Sequence, residues 1–470
     1  MSAGPERWRA FVGRADRRAG VVVLMAFSAA LLFFDFGAHV LATNDETRFP
    51  MMARDILARG HWLLPEINGT PMLNKPPLHA WLIALAAWPT GAVTQRTAAL
   101  PSLLAALGLV AGTYWIGRRA FDADVGFTAG LIAVTTAGVF SLARSPVPDM
   151  TLSLAMVAAM GAFVATEFEG RRGALTVFYL LVGIAFWIKG PVGMLPLAIA
   201  LAYEVATYGW SGPLRLASRA GLPVLALLVV TWSGLALGVG RAAMVDEVVM
   251  NDYVRAYFMA GPSGGRDLVE PLKHASTILL PWSLLLPVAL GWALRGVEPT
   301  GRRGTRLALV WAAVVFVAVA LSHRQRWRYY LPLCAPMALL LAAWVRNLRW
   351  HWRTPAFAAA WIIVAVGLAV GQTTLTARQS RATDWRAIAE KAVEIRGPLF
   401  ALEAPELVFE FYLGRPVLVT PNYQTFAQLP EATYLLARDR NVAHFPASAR
   451  VRELAAGLVA GRRFVLLIRE

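Results

Sequence analysis

Apolar residues run along this chain in long blocks of roughly 20, and short Arg-rich segments separate the blocks. A helix crossing a bilayer needs ~20 mostly apolar residues, because hydrocarbon cannot satisfy the backbone polar groups. The pattern predicts spans at about residues 20–41, 96–116, 124–143, 150–167, 174–188, 191–208, 220–240, 275–294, 306–322, 329–345 and 355–375. The apolar run at 78–88, about 11 residues, is too short to cross. It reads as a juxtamembrane helix, and its Trp81 and Trp88 suit the interface. Beyond 375 the pattern changes: 384–395 reads as a short amphipathic helix, and 399–402, 417–420, 433–437 and 464–468 as short apolar strands. The expected fold class is an α-helical polytopic membrane protein of about 11 spans over residues 1–375, followed by a small extracytoplasmic α/β domain over 376–470.

Composition supports this reading: 57% of residues are hydrophobic, above the ~45–50% of soluble domains. The net charge of +16 does not call for nucleic acid, because the arginines lie mostly between the apolar blocks. Arg118/Arg119, Arg171/Arg172, Arg215/Arg219, Arg295/Arg302/Arg303/Arg306 and Arg346/Arg349/Arg353 all fall on the side of the basic N-terminus, which the positive-inside rule makes the cytoplasm. Counting 78–88 as a span would invert that order. The segments 42–95, 144–149, 241–274 and 323–328, and the tail, are then outside. Val40-Leu41-Ala42 loosely matches a signal cleavage site, but the first apolar run exceeds the ~7–15 residues of a signal core, so an uncleaved anchor is expected. The single cysteine, Cys334, excludes an intrachain disulfide and a cysteine metal cluster.

Charged residues at the ends of the blocks are the candidate chemistry. Asn44-Asp45-Glu46-Thr47-Arg48 follows the first span. One carboxylate could serve as a general base while Arg48 restrains its neighbour, or both could simply mark a helix N-terminus. In Asn74-Lys75-Pro76-Pro77 the prolines stiffen the backbone around Lys75, which suits a phosphate or plain snorkelling to lipid. Arg144-Ser145-Pro146-Val147-Pro148-Asp149 places a carboxylate at the next outer boundary, as a site residue or as a helix cap. Lys189-Gly190-Pro191 interrupts an apolar stretch, as broken helices at transport and catalytic sites do, though a tight turn would look the same. The basic turn His323-Arg324-Gln325-Arg326-Trp327-Arg328-Tyr329-Tyr330 falls outside, against the charge rule, which points to anion binding.

Together these motifs resemble the lipid-phosphate sugar transferases of the GT-C superfamily. The stretch 44–88, with N-D-E-x-R, G-H-W-L-L-P-E-I-N-G and N-K-P-P-L, is similar to the bacterial aminoarabinose lipid A transferases and to the protein mannosyltransferase group. The likeness extends through Arg144–Asp149, Lys189-Gly190-Pro191 and Arg326–Pro332 over about residues 40–345, and fades in the C-terminal part. It implies a polyprenyl-phosphate donor, two outer juxtamembrane segments and a bacterial inner-membrane location. It matches Asp45 and Asp149 to the family's acidic residues and so implies catalytic roles for them, with Glu46 beside Asp45 a further candidate from the paired carboxylates. Lys75, Lys189, Arg255, Arg324, Arg326, Arg328 and Tyr329 would hold the donor phosphate, with Arg48 and Arg144 nearby. Asn74 stands where this family often has Glu, and Asp252 where it usually has His, so a metal held by that pair is not expected. No cofactor is required, and no ligand spacing for a divalent metal is evident. The expected reaction is inverting sugar transfer to a lipid A-like glycolipid, another glycan or a protein. A transporter or lipid flippase would instead place paired charges deep inside spans. A non-catalytic assembly subunit would not need charged residues in several separate outer loops.

Overall fold

The computed structural model describes residues 4–244, 269–295, 301–322, 325–348, 355–445 and 450–470. Among the described residues, seven helical stretches are long and apolar enough to cross a membrane. In chain order the first helices are α1 (Gly4–Phe33), α2 (Asn44–Arg59), α3 (Leu78–Ala87), α4 (Gln95–Ala120), α5 (Ala123–Val134), α6 (Ala137–Leu142), α7 (Asp149–Glu169), α8 (Ala174–Lys189) and α9 (Leu195–Tyr208). A two-stranded hairpin, β1 (Glu66–Ile67) and β2 (Thr70–Pro71), lies between α2 and α3. Then come α10 (Gly221–Met244), α11 (Val269–Ile278), α12 (Leu286–Leu294), α13 (Arg302–Ala320), α14 (Cys334–Asn347) and α15 (Pro355–Arg381).

The apolar stretch Ala174–Leu216 is a hairpin rather than one long rod. Gly190 adopts φ 68° and ends α8, a conformation that favours glycine. Lys189 at that end meets Asp149 at the start of α7, whereas Tyr208 at the end of α9 meets Glu167 near the end of α7. The two halves therefore run in opposite directions. Arg119, Arg171, Arg215 and Arg303 gather with Glu167 and Glu169 at the far end of α7, so these four arginine segments lie at one end of the bundle.

Small residues let the bundle close. A Cβ on Gly117 would lie 2.8 Å from the Gly126 backbone, so α4 and α5 cross at a distance only glycine permits. The core runs through most of the spans and buries Trp311, Tyr203 and Tyr330 completely. By contrast, the apolar windows of α10 and α15 are only 17% and 11% buried, as expected for helices facing lipid.

Three expected spans need correction. The first apolar block, read as 20–41, stops being helical at Phe33. Gly37 takes φ 90°, and Arg144 donates to the Leu31 and Phe34 carbonyls at 3.1 and 2.7 Å, which closes the end of α1. The block read as 124–143 breaks between α5 and α6 at Thr135-Thr136. Both hydroxyls bond back onto carbonyls of the preceding turn, Leu131 at 2.6 Å and Ile132 at 2.7 Å. The block read as 275–294 divides into α11 and α12 around Pro281. The last two breaks meet: the Ala137 N–H donates to the Leu280 carbonyl at 2.7 Å, and Trp282 Nε1 donates to Thr135 Oγ1 at 3.2 Å.

The C-terminal segment forms a five-stranded sheet of β3 (Leu399–Leu402), β4 (Leu418–Val419), β5 (Tyr434–Arg438), β6 (Val451–Val459) and β7 (Arg462–Arg469), in the order β4-β3-β5-β7-β6. β3 is parallel to β4 and β5, and the remaining pairs are antiparallel. The expected helix and four strands are present as α16 (Arg386–Glu394), β3, β4, β5 and β7. The pattern missed β6, an edge strand whose alternation a bulge at Glu453/Ala455 interrupts. It also missed α17 (Glu406–Leu413).

Candidate active site

Asp45 is in the first turn of α2, where the helix dipole favours a carboxylate. Thr43 caps that helix, and Glu46 three residues on reaches back over the cap. Its Oε2 accepts from the Ala42 N–H at 3.1 Å and from Thr43 Oγ1 at 3.0 Å, while Oε1 meets His39 Nε2 at 2.6 Å. Burial favours the neutral imidazole of His39, but the hydrogen bond and charge of Glu46 prevail and raise its pKa. Glu46 responds in kind: burial pushes it up, the His39 bond prevails, and its pKa is lowered. Glu46 thus spends its oxygens on the helix start and on His39, whereas Asp45 turns toward cations from elsewhere in the fold.

Asp45 Oδ2 pairs with Arg326 and, at 3.0 Å, with Arg328 Nη2; Arg48 stands 3.8 Å from Oδ1. Arg326 and Arg328 come from the basic turn that leads into the 3₁₀ helix Trp327–Leu333 and α14. Asp149, at the start of α7, is 3% exposed. Its Oδ1 meets Lys189 Nζ at 2.5 Å, and its Oδ2 faces Arg328 Nε at 3.5 Å. Arg328 therefore bridges the two carboxylates. Its Nε is buried and donates no hydrogen bond among the described residues. Tyr329 presents its ring to Lys189, 4.5 Å from the centroid, and to the Arg328 guanidinium at 5.6 Å. Residues scattered over nearly 300 positions thus make one cluster of two carboxylates and four cations.

The remaining expected site residues are placed as follows. Leu73 and Leu78, on either side of Lys75, pack with Phe186 and Trp187, so the Lys75 loop lies against the end of α8 that carries Lys189. Arg144 is 2% exposed, stacks on Phe140 at 3.9 Å and closes α1, so it buttresses the fold beside the site. Arg255 and Arg324 lie outside the described residues. So does Asp252, and Asn74 supplies no carboxylate.

A cavity of about 470 Å³ opens beside the cluster. Arg328, Glu46, His39 and Trp327 line it from the membrane part, while Arg378 and Gln379 of α15 and Ala460 of the β6–β7 turn line it from the C-terminal part.

Sequence reasoning missed His79 on α3. It is fully buried, with Nδ1 3.1 Å from Thr151 Oγ1 and its ring edge-on to Phe49, and so ties α2, α3 and α7 together behind Asp149. Burial drives its pKa down to about 4, against the pull of the Pro146 carbonyl and Asp149. One His inside an apolar helix gives no sign of its neighbours in sequence. The reading also missed Asp55, His61 and Glu66, whose ligand-type atoms lie within 4.8 Å of one another. Arg59 stands 3.5 Å from Asp55 and 3.7 Å from Glu66, and already supplies a cation there.

Comparison with known proteins places this geometry in context. Residues 74–234 match the family described as dolichyl-phosphate-mannose-protein mannosyltransferase. The chain is 28% identical over 346 residues to an undecaprenyl phosphate-alpha-4-amino-4-deoxy-L-arabinose arabinosyl transferase of Edwardsiella ictaluri, covering 68% of this chain and 59% of the relative. It is 29% identical over 355 residues to the corresponding transferase 1 of Sodalis glossinidius, covering 73% and 62%. The matches thus span about three fifths of the relatives' length. The crystal structure of ArnT from Cupriavidus metallidurans superposes with a TM-score of 0.77 at 19% identity, covering 95% of this chain and 97% of that one. Its form bound to undecaprenyl phosphate gives 0.75.

Proposed function

We propose that this chain, which resembles the polyprenyl-phosphate sugar transferases in sequence and shares their fold, moves a sugar from a polyprenyl-phosphate carrier to an acceptor at the outer membrane boundary. One observation carries the reading. Arg326, Arg328 and Lys189 converge on Asp45 and Asp149, and Arg328 Nε, buried and 3.5 Å from Asp149, makes no hydrogen bond among the described residues. A phosphate offers more acceptors than a carboxylate and suits the planar fork of arginine. Its arrival would draw the arginines off Asp45 and release that carboxylate toward the acceptor.

The acceptor oxygen then attacks the anomeric carbon as the bond from that carbon to the phosphate oxygen breaks. Asp45 takes the acceptor proton, and the carrier leaves as polyprenyl phosphate, its charge held by Arg326, Arg328 and Lys189. A single displacement inverts the anomeric centre. Asp149 keeps Lys189 and Arg328 in place, and Lys75, Arg255 and Arg324 complete the phosphate site. In this reading the chain crosses the inner membrane about 11 times. The N-terminus is cytoplasmic, and the site and the α/β domain at 376–470 face the periplasm. No cofactor is needed. The likeness of the outer-loop motifs to the aminoarabinose lipid A transferases favours a lipid A-type acceptor, for which the cavity shared with the C-terminal part offers a place. A flippase would need its charges deep inside the spans, whereas these cluster at helix ends.

The test is transfer of radiolabelled sugar from polyprenyl-phosphate donors to membrane extracts by wild type and Asp45→Asn. Label moved by wild type alone is the expected result. Equal transfer by the variant removes the role given to Asp45, and no transfer by folded wild type removes the enzyme reading.

A further inference from the structure

The C-terminal sheet grips the helix that carries Asp45, and it does so through one helix of its own. Along α17, successive residues reach four parts of the first outer loop. Asn44, the first residue of α2, donates from Nδ2 to Glu406 Oε2 at 2.8 Å and accepts from the Leu407 N–H through Oδ1 at 3.2 Å. Asn68, between β1 and β2, donates to Glu410 Oε2 at 2.8 Å. Phe411 is buried among Phe49, Met52 and Ile56 of α2, under the Arg54 guanidinium at 4.1 Å. The Tyr412 hydroxyl accepts from the Leu41 N–H at 2.9 Å and from Gln95 Nε2 at 2.6 Å, pinning the chain just before α2 and the start of α4.

We propose that Asn44 is a positioning residue and that the C-terminal domain, through Glu406 and the Leu407 N–H, sets where Asp45 points. The first turn of a helix frays most readily because its N–H groups lack partners within the helix. Asp45 sits in that turn and must meet cations delivered by a turn nearly 300 residues away. Asn44 uses both ends of its amide on α17, which fixes the side chain in one orientation and ties the turn to a second rigid element. A shift of about 1 Å at a catalytic group costs on the order of 100-fold in rate. The tail is thus part of the machinery that aims the base, as well as a wall of the cavity. This inference rests on the transferase reading for its rate effects but not for its structural ones.

The experiment compares full-length wild type, Asn44→Ala, Glu406→Ala, Glu406→Gln and the double alanine variant. Turnover and donor KM are measured beside hydrogen exchange of the amides at 43–48. Each alanine variant is expected to lower kcat by roughly 10- to 100-fold with donor KM nearly unchanged. The double variant should be no worse than the weaker single one, because both remove the same link. Gln at 406 keeps an acceptor for Asn44 and should restore turnover and exchange protection. Unchanged kcat in both alanine variants, or fully additive losses, would overturn the proposal while leaving the transferase reading intact. If folded wild type transfers no sugar, that reading fails by itself and hydrogen exchange decides alone: faster exchange at 43–48 in both alanine variants supports the clamp, and wild-type exchange refutes it.

Discussion

Helix α7 carries a dense charge cluster at each end, and the two differ in what they leave undone. At its start, Asp149 joins Asp45, Lys189, Arg326 and Arg328, so cations outnumber carboxylates, Arg328 Nε makes no hydrogen bond among the described residues, and a cavity opens alongside. At its other end, Glu167 accepts from Arg215 and Arg303, and Arg215 also meets Glu204 at 3.1 Å. There Glu167, Glu169 and Glu204 face Arg119, Arg171, Arg215 and Arg303, and Tyr208 adds its hydroxyl to Glu167. The second cluster is close to balanced and ties α7, α9 and α13 together. Charge density by itself therefore does not mark a site; surplus charge beside open space does.

This contrast can be broken most decisively at Arg328. Arg328→Ala should lower sugar transfer by ~10²–10³-fold while leaving the melting temperature within a few degrees, because it removes charge stabilisation of the leaving phosphate. Arg328→Lys should recover only part of that loss, since an ammonium cannot fork across two oxygens. A variant that melts early but turns over normally would make this end a staple like the other. Acid tests the same end through His79. Its neutral ring persists in the fold down to about pH 4, whereas the unfolded chain takes up a proton near 6.5. The unfolded state then binds more protons, so stability is complete above pH 6.5 and falls by roughly 3 kcal/mol as pH drops through about 4. Thermal melts across that range should show the slope in wild type and a flatter profile in His79→Phe.

At the far end, Arg215→Ala should cost about 2 kcal/mol in detergent melts, less than for a fully buried pair because Arg215 is half-exposed. Turnover per folded molecule should stay within about two-fold, the opposite signature to Arg328. The smallest effect is expected at Arg326, whose side chain is 49% exposed. Arg326→Ala should raise donor KM a few-fold, and the difference should shrink in high salt as screening replaces the lost charge.

Much of this was legible in the chain. Asp45, Asp149, Lys189 and Arg328 stand out because each is a charge at the edge of an apolar block, where hydrocarbon makes charge expensive. Glu46 reads in the sequence as a candidate catalytic carboxylate alongside Asp45, and only the structure shows its oxygens spent on His39, the Ala42 N–H and the Thr43 hydroxyl. The breaks in α5–α6 and α11–α12 were not readable, since the polar groups that stabilise each come from the other. The bond between Asn44 and Glu406 joins residues 362 positions apart, and no local pattern announces such a pair. The edge strand β6 was hidden by its bulge.

Those paired breaks also constrain how the protein is made. Among the described residues the Ala137 N–H finds its acceptor at Leu280, and Gly138 leaves room for Ile278, since a Cβ there would stand 2.2 Å from that side chain. Until α11 is in place, α5 and α6 lack this acceptor and this neighbour, so their packing is completed only once residues more than a hundred positions further along the chain have joined them.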